Sequence, residues 1–266
     1  MKLKIFMPAL NIYLKHEKTL SIRMNAFKSQ TGFTLVELVI IIVIVSIITA
    51  VAVINMSQSL DTAKVESTKS ELDELAFAIA GNPALMGNGA RADFGYVGDV
   101  GGLPPNLDAL VQNPGGYVTW NGPYIESGGS SEYKKDGWGV DYTYIDTLIR
   151  STGSGANIDK IFAQNLTDLL ANTVKGFVVD ANHSMPGTTY DDSLQLRLTI
   201  PNGSGGSSIA SVSTDAHGNF TFNNVPIGNH LLTAIYLPDN DTMSYNITVT
   251  PNSVIKLDVI FPHDLW

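Results

Sequence analysis

The chain has 266 residues, 44% of them hydrophobic and 15% charged, which is enough to fill one large core or two modest ones and argues against wholesale disorder. The formal net charge is −9, but residues 1–32 hold Lys2, Lys4, Lys15, Lys18, Arg23 and Lys28 against Glu17 alone, so the remainder carries about −14. An acidic body repels a phosphate backbone, and the absence of cysteine removes disulfides, thiol nucleophiles and thiolate metal sites together, so neither a nucleic-acid partner nor cysteine chemistry is expected.

The first element in chain order runs from Phe33 to Ile54, twenty-two residues whose one ionisable side chain is Glu37. At about 1.5 Å of rise per residue this stretch crosses a bilayer core as a helix. Basic residues cluster before it, Arg23 and Lys28 nearest on that side, against Lys64 as the first after it, a bias that keeps the N-terminus cytoplasmic and sends everything after Ile54 outward. A secretory signal has a shorter apolar run, a cleavage site after that run and no acid within it, and this segment departs on all three counts. A carboxylate near the start of a membrane helix is costly without a partner, so Glu37 is a candidate functional residue; the alternative is that it lies shallow enough to reach the headgroups.

Lys28-Ser-Gln-Thr-Gly32 followed by Phe33-Thr-Leu-Val-Glu37-Leu resembles the processing motif of type IV prepilins and type II secretion pseudopilins. The resemblance implies cleavage by prepilin peptidase after Gly32, N-methylation of the new terminal Phe33, and a subunit-assembly role for Glu37. A new α-amino group on Phe33 of one subunit would give Glu37 of a neighbour an opposite charge inside the bilayer, relieving the desolvation cost of both. The 32-residue leader is long for the family. Met24 would start one of nine residues, MNAFKSQTG, and is expected to be the true start.

Beyond the anchor no Gly or Pro occurs until Gly81, and Val65, Leu72, Leu75 and Ile79 form an apolar stripe at helical spacing, so the helix should continue to about residue 80 and pack on a globular body. Residues 82 to about 172 are rich in turn signals and read as short strands with long loops. Within them Leu103-Pro104, Leu107, Leu110, Pro114-Gly115, Trp120-Asn-Gly-Pro-Tyr124 and Asp136-Gly-Trp-Gly139 resemble the major pseudopilin of type II secretion. Two departures are Gly137, where that family usually has proline, and Val140-Asp141, where it has asparagine-proline. The family binds calcium in the following loop, which implies a metal role for Asp146, Ser151 and Asp159. Calcium favours six to eight oxygens, so these three need help from carbonyls, and solvated loop residues are the alternative.

From about residue 173 the texture changes to seven short alternating runs separated by turns, which reads as a small β-sandwich. Asp215-Ala-His-Gly218-Asn-Phe220-Thr-Phe222 and Val225-Pro-Ile-Gly228 resemble the carboxypeptidase regulatory-like (transthyretin-like) domain, a structural and binding module. Gly218 and Gly228 are expected at tight turns, Phe220 and Phe222 in the core, and His217 and His230 in solvent. The expected fold class is α+β, with a prepilin leader (1–32), the transmembrane part of a long helix (33–54), a pseudopilin-like region with a loop-rich sheet (55–172) and an all-β sandwich (173–266).

The chain has no Gly-x-Ser-x-Gly, Walker, Gly-x-Gly-x-x-Gly or paired-histidine motif, so no enzymatic role is expected. Gly153-Ser-Gly and Gly203-Ser-Gly-Gly206 read as loops. Tyr117, Trp120, Tyr124, Trp138 and Tyr142 read as packing residues or as a surface for a partner or carbohydrate. Three functions compete: a structural subunit of a type II secretion-like pseudopilus, a minor pilin or adhesin displaying the sandwich, and an enzyme using the pilin export route. The expected partners are prepilin peptidase, other pilin-like subunits, the inner membrane, and the secretion or pilus assembly machinery.

Overall fold

The computed structural model describes residues 32–266; the expected leader, including Met24, lies outside the described residues. The chain divides into two units, Met1–Val53 and Ile54–Trp266. Helix α1 (Leu35–Ala80) begins in the first, close to the expected start, and ends in the second at Gly81, where the sequence ends it.

In the first unit every described side chain is exposed, which is the state of an apolar helix without its membrane or neighbours. The helix is long and apolar enough to cross a bilayer. Its hydroxyls are satisfied internally: Ser46 Oγ donates to the Ile42 carbonyl at 2.6 Å and Thr49 Oγ1 to the Val45 carbonyl at 2.7 Å. Hydrocarbon offers no partners, so a hydroxyl folded back on its own helix is the arrangement a membrane tolerates.

In the second unit the predicted stripe is buried: Leu72, Leu75 and Ile79 are inaccessible, and Val65 is half-buried. The stripe faces a core built from α2 (Gly95–Val100), a 3-10 turn at Leu107–Leu110, and a three-stranded antiparallel sheet of β3 (Thr143–Ile145), β4 (Leu148–Ser151) and β5 (Ile158–Ile161). A two-residue hairpin, β1 (Met86–Gly87) with β2 (Ala90–Arg91), brings Arg91 back under the helix end. Its Nη2 donates to the Ala80 and Gly81 carbonyls at 2.5 and 2.9 Å, filling acceptors that every helix C-terminus leaves open.

The short helix α3 (Leu166–Leu170) leads into the seven predicted strands: β6 (Asn172–Val179), β7 (Leu194–Pro201), β8 (Ser207–Ser213), β9 (Asn219–Val225), β10 (Gly228–Tyr236), β11 (Asp241–Val249) and β12 (Val254–Ile260). They form a four-stranded sheet, β11-β10-β7-β8, and a three-stranded sheet, β12-β6-β9, enclosing a second core. All pairs are antiparallel except β12 with β6. As the pattern predicts, Phe220 and Phe222 share the inner face, edge to face at 6.1 Å, and Gly218 adopts φ +78°, which leaves its amide to close the turn on the Asp215 carbonyl.

The sandwich is bonded to the first core through its loops. Ile227, in the β9–β10 turn, is fully buried in the helix-side core, and its N–H donates to the Leu169 carbonyl at 2.8 Å. The Gly205 carbonyl of the β7–β8 loop accepts from Val118 and Thr119, and Gly203 N–H donates to the Val100 carbonyl. Gly101 has φ +77°, and a Cβ there would sit 2.5 Å from the Pro201 carbonyl oxygen, so only glycine permits this approach. His230 corrects the expectation of exposure. Its position in the β10 row that faces inward makes it 3% exposed, with Nε2 2.8 Å from the Pro226 carbonyl oxygen.

Candidate processing and assembly site

Gly32, Phe33 and Thr34 precede the helix as exposed chain without regular structure, and among the described residues nothing lies within 4 Å of where a Gly32 Cβ would be. Nothing among the described residues therefore covers the Gly32–Phe33 peptide bond, the condition a peptidase needs. The helix then starts with a reciprocal cap. Thr34 Oγ1 accepts from Glu37 N–H at 3.2 Å, while Glu37 Oε2 accepts from Thr34 N–H at 2.8 Å and from the Thr34 hydroxyl at 2.9 Å. Threonine at the cap with glutamate three residues on satisfies two amides that a helix start leaves unpaired, and the carboxylate also faces the positive end of the helix dipole. Glu37 therefore has a local role that the sequence reading omitted, although Thr-x-x-Glu is its known signature. Glu37 Oε1 has no hydrogen-bond partner among the described residues and can accept a cation from another chain.

The resemblance to major pseudopilins placed a second site in the loop after Trp138. Its organiser is Asp136, which is 5% exposed. Oδ1 accepts from the N–H groups of Trp138 and Val140, each at 3.0 Å, and Oδ2 accepts from Ser151 Oγ at 2.6 Å and Gly153 N–H at 2.9 Å. Burial alone pushes this carboxyl up, but the bonds from Ser151, Val140, Trp138 and Gly153 outweigh it and hold the group below the usual range. The loop is pinned to the helix by Gly137 N–H donating to Thr68 Oγ1 at 3.0 Å and by the Tyr142 hydroxyl donating to Glu71 at 2.6 Å. The Asp-x-Trp-x-Val spacing is an Asx-turn signal that could have identified Asp136 from sequence.

The structure does not bring Asp146, Ser151 and Asp159 together. Asp146 lies in the turn joining β3 to β4, and Ser151 is at the far end of β4, about 10 Å away at strand rise. Ser151 is buried with its hydroxyl on Asp136. Asp159 pairs across β4–β5 with Arg150, the strand neighbour of Ser151, so its side chain lies on the opposite face, and both its oxygens accept from that guanidinium at 2.7 Å. Among the described residues no group of three or more His, Cys, Asp or Glu side chains could hold a metal ion. These three residues do not fit a calcium ion, and the bonds of Asp136 close the loop without one.

Trp120 and Tyr124 serve packing. Trp120 Nε1 donates to the Ala109 carbonyl, Tyr124 donates to Asp99, and the Trp120 and Tyr124 rings meet edge to face at 5.7 Å over the first core.

Residues 27–53 match the prokaryotic N-terminal methylation motif. Over 137 residues the chain is 28% identical to type II secretion system core protein G of Xanthomonas campestris pv. campestris, a match covering 49% of this chain and 86% of that protein. Among solved structures, BcpA, the major pilin subunit of Bacillus cereus, aligns at 13% identity over 47% of this chain and 42% of its own, with a TM-score of 0.26. A dioxygenase domain from Streptomyces sp. SirexAA-E aligns at 12% identity over 38% of this chain and 86% of its own, with a TM-score of 0.28. Likenesses this slight decide nothing. The chain thus carries the methylation motif near its start, is similar to a type II secretion pseudopilin over about half its length, and carries a β-sandwich besides.

Proposed function

We propose that the chain is a structural subunit cut by prepilin peptidase after Gly32 and polymerised into a type II secretion-like pseudopilus that serves protein export. The observation that carries this reading is the exposed Gly32–Phe33 segment directly before a capped helix whose stretch through Ile54 is apolar but for Glu37. On this reading the helix anchors in the inner membrane with its N-terminus cytoplasmic, and the body lies outside. The new α-amino group of Phe33 in one subunit pairs with Glu37 of the next, and the role is structural rather than catalytic. The similarity to core protein G supports the pseudopilus over other filaments. To test assembly, Glu37→Val is expressed in the native secretion machinery beside the wild type. The variant should be processed yet remain in the membrane fraction, and filament recovery equal to wild type would sink the role of Glu37.

A second reading, a minor pilin or adhesin, has one observation in its favour: the sandwich has its own core and bonds to the helix-side core through one end of its loops, leaving β8 and β11 exposed. Negative-stain microscopy of the native host separates the two readings, since long surface fibres favour this one.

A further inference from the structure

Strand β8 is the outer strand of the four-stranded sheet, bonded to β7 through seven consecutive residue pairs, with no strand hydrogen-bonded to its other edge among the described residues. Free edges recruit other strands, and proteins usually blunt them with charge, proline or a bulge. The other edges of this sandwich are blunted. Strand β12 carries Lys256 and Asp258, β9 pairs with a register shift and kinks at Asn224 (φ +56°), and β11 opens with Asp241 beside Asp239. Strand β8 reads Ser-Ser-Ile-Ala-Ser-Val-Ser, with no charge, no proline and no irregularity.

Its two faces are also incompletely covered. Ala210 and Val212, which pack on the sandwich core, are only half-buried. On the outer face Ile209 is 63% exposed. One more strand beside β8 would extend the sheet and cover both.

We propose that this strand is β8 of a second copy, paired antiparallel about a two-fold axis at Ala210. That register sets Ser207 opposite Ser213, Ser208 opposite Val212 and Ile209 opposite Ser211, so each pair includes a serine and the hydroxyls of Ser207 and Ser213 can pair across the strands. A body carrying about −14 resists self-contact elsewhere, and the uncharged edge is where two copies approach at least cost. A two-fold contact closes on itself, so it joins two copies and is not the polymerising contact. The inference does not rest on the filament reading; if that reading holds, β8 ties one filament to another.

The chain has no cysteine, so a single introduced thiol reports the contact directly. Full-length Ala210→Cys in membranes, treated with a mild oxidant, should give a disulfide-linked dimer at least fivefold above Ser244→Cys, an exposed control on β11. Adding Ile209→Lys, or separately Ser211→Lys, should return the dimer to the control level while the thermal melt is unchanged. Equal cross-linking of Ala210→Cys and Ser244→Cys overturns the pairing, as does a dimer that survives both lysines. Leader removal is scored by size on the same gel, so failed processing is seen separately from failed pairing.

Discussion

Replacing Asp136 with Asn keeps the shape of the side chain and removes its charge. The carboxylate takes four hydrogen bonds at 2.6 to 3.0 Å while nearly inaccessible. An amide oxygen can keep the two from Trp138 and Val140, but the NH2 then meets Gly153 N–H, and Ser151 must turn to accept. A stranded buried donor costs about 1–3 kcal/mol, and bonds to a charged acceptor are worth about 1.5–3 kcal/mol against roughly 1 for neutral ones, so a loss of about 3 kcal/mol is expected. For a body of this size each kcal/mol moves Tm by about 2–4 °C, giving a drop of about 6–12 °C at pH 7, read by circular dichroism of the full chain in detergent. Because this carboxyl is held below its unfolded value, its contribution is complete above about pH 4 and is lost as pH falls through the folded value. The gap between wild type and variant should therefore close on acidification. A variant melting within about 2 °C of wild type at pH 7, or a gap unchanged down to pH 2.5, would refute the account of the loop.

Ile227→Ala removes a fully buried side chain that the sandwich lends to the helix-side core, and should cost about 2–5 kcal/mol in denaturant unfolding. Gly101→Ala combines a left-handed backbone with a clash on the Pro201 carbonyl and should cost at least about 2 kcal/mol by the same measurement. Burial depresses the His230 imidazole below its ordinary value, with the Pro226 carbonyl bond opposing weakly. The unfolded chain then takes up a proton that the native state refuses, so stability falls as pH drops below about 6.5, and His230→Gln should flatten that slope between pH 7 and 5.

The long helix was legible because two signals coincide, a continuous apolar run and then a heptad-like stripe, with Gly81 as its stop. The sandwich was legible from alternation and from the Asp215–Gly218 turn, whose side-chain bonds to His217 and Asn219 are local. What sequence could not give were contacts between distant segments. Ile227 reads as a turn residue and His230 as a polar one, and both are buried because the β9–β10 turn docks against α2 and α3. The three residues expected to hold calcium are kept apart for a related reason. Asp159 is acidic in sequence, but strand register places Arg150 opposite it, and register is not visible in composition.

The central claim is that the Gly32–Phe33 bond is the processing site, and intact-mass and N-terminal analysis tests it most directly. The chain is expressed with and without a prepilin peptidase, beside Gly32→Ala. The account predicts a mature product beginning at methylated Phe33 only for the wild type with peptidase present. A leader retained under every condition would contradict it, and the chain would then be a membrane-anchored protein that does not enter a filament.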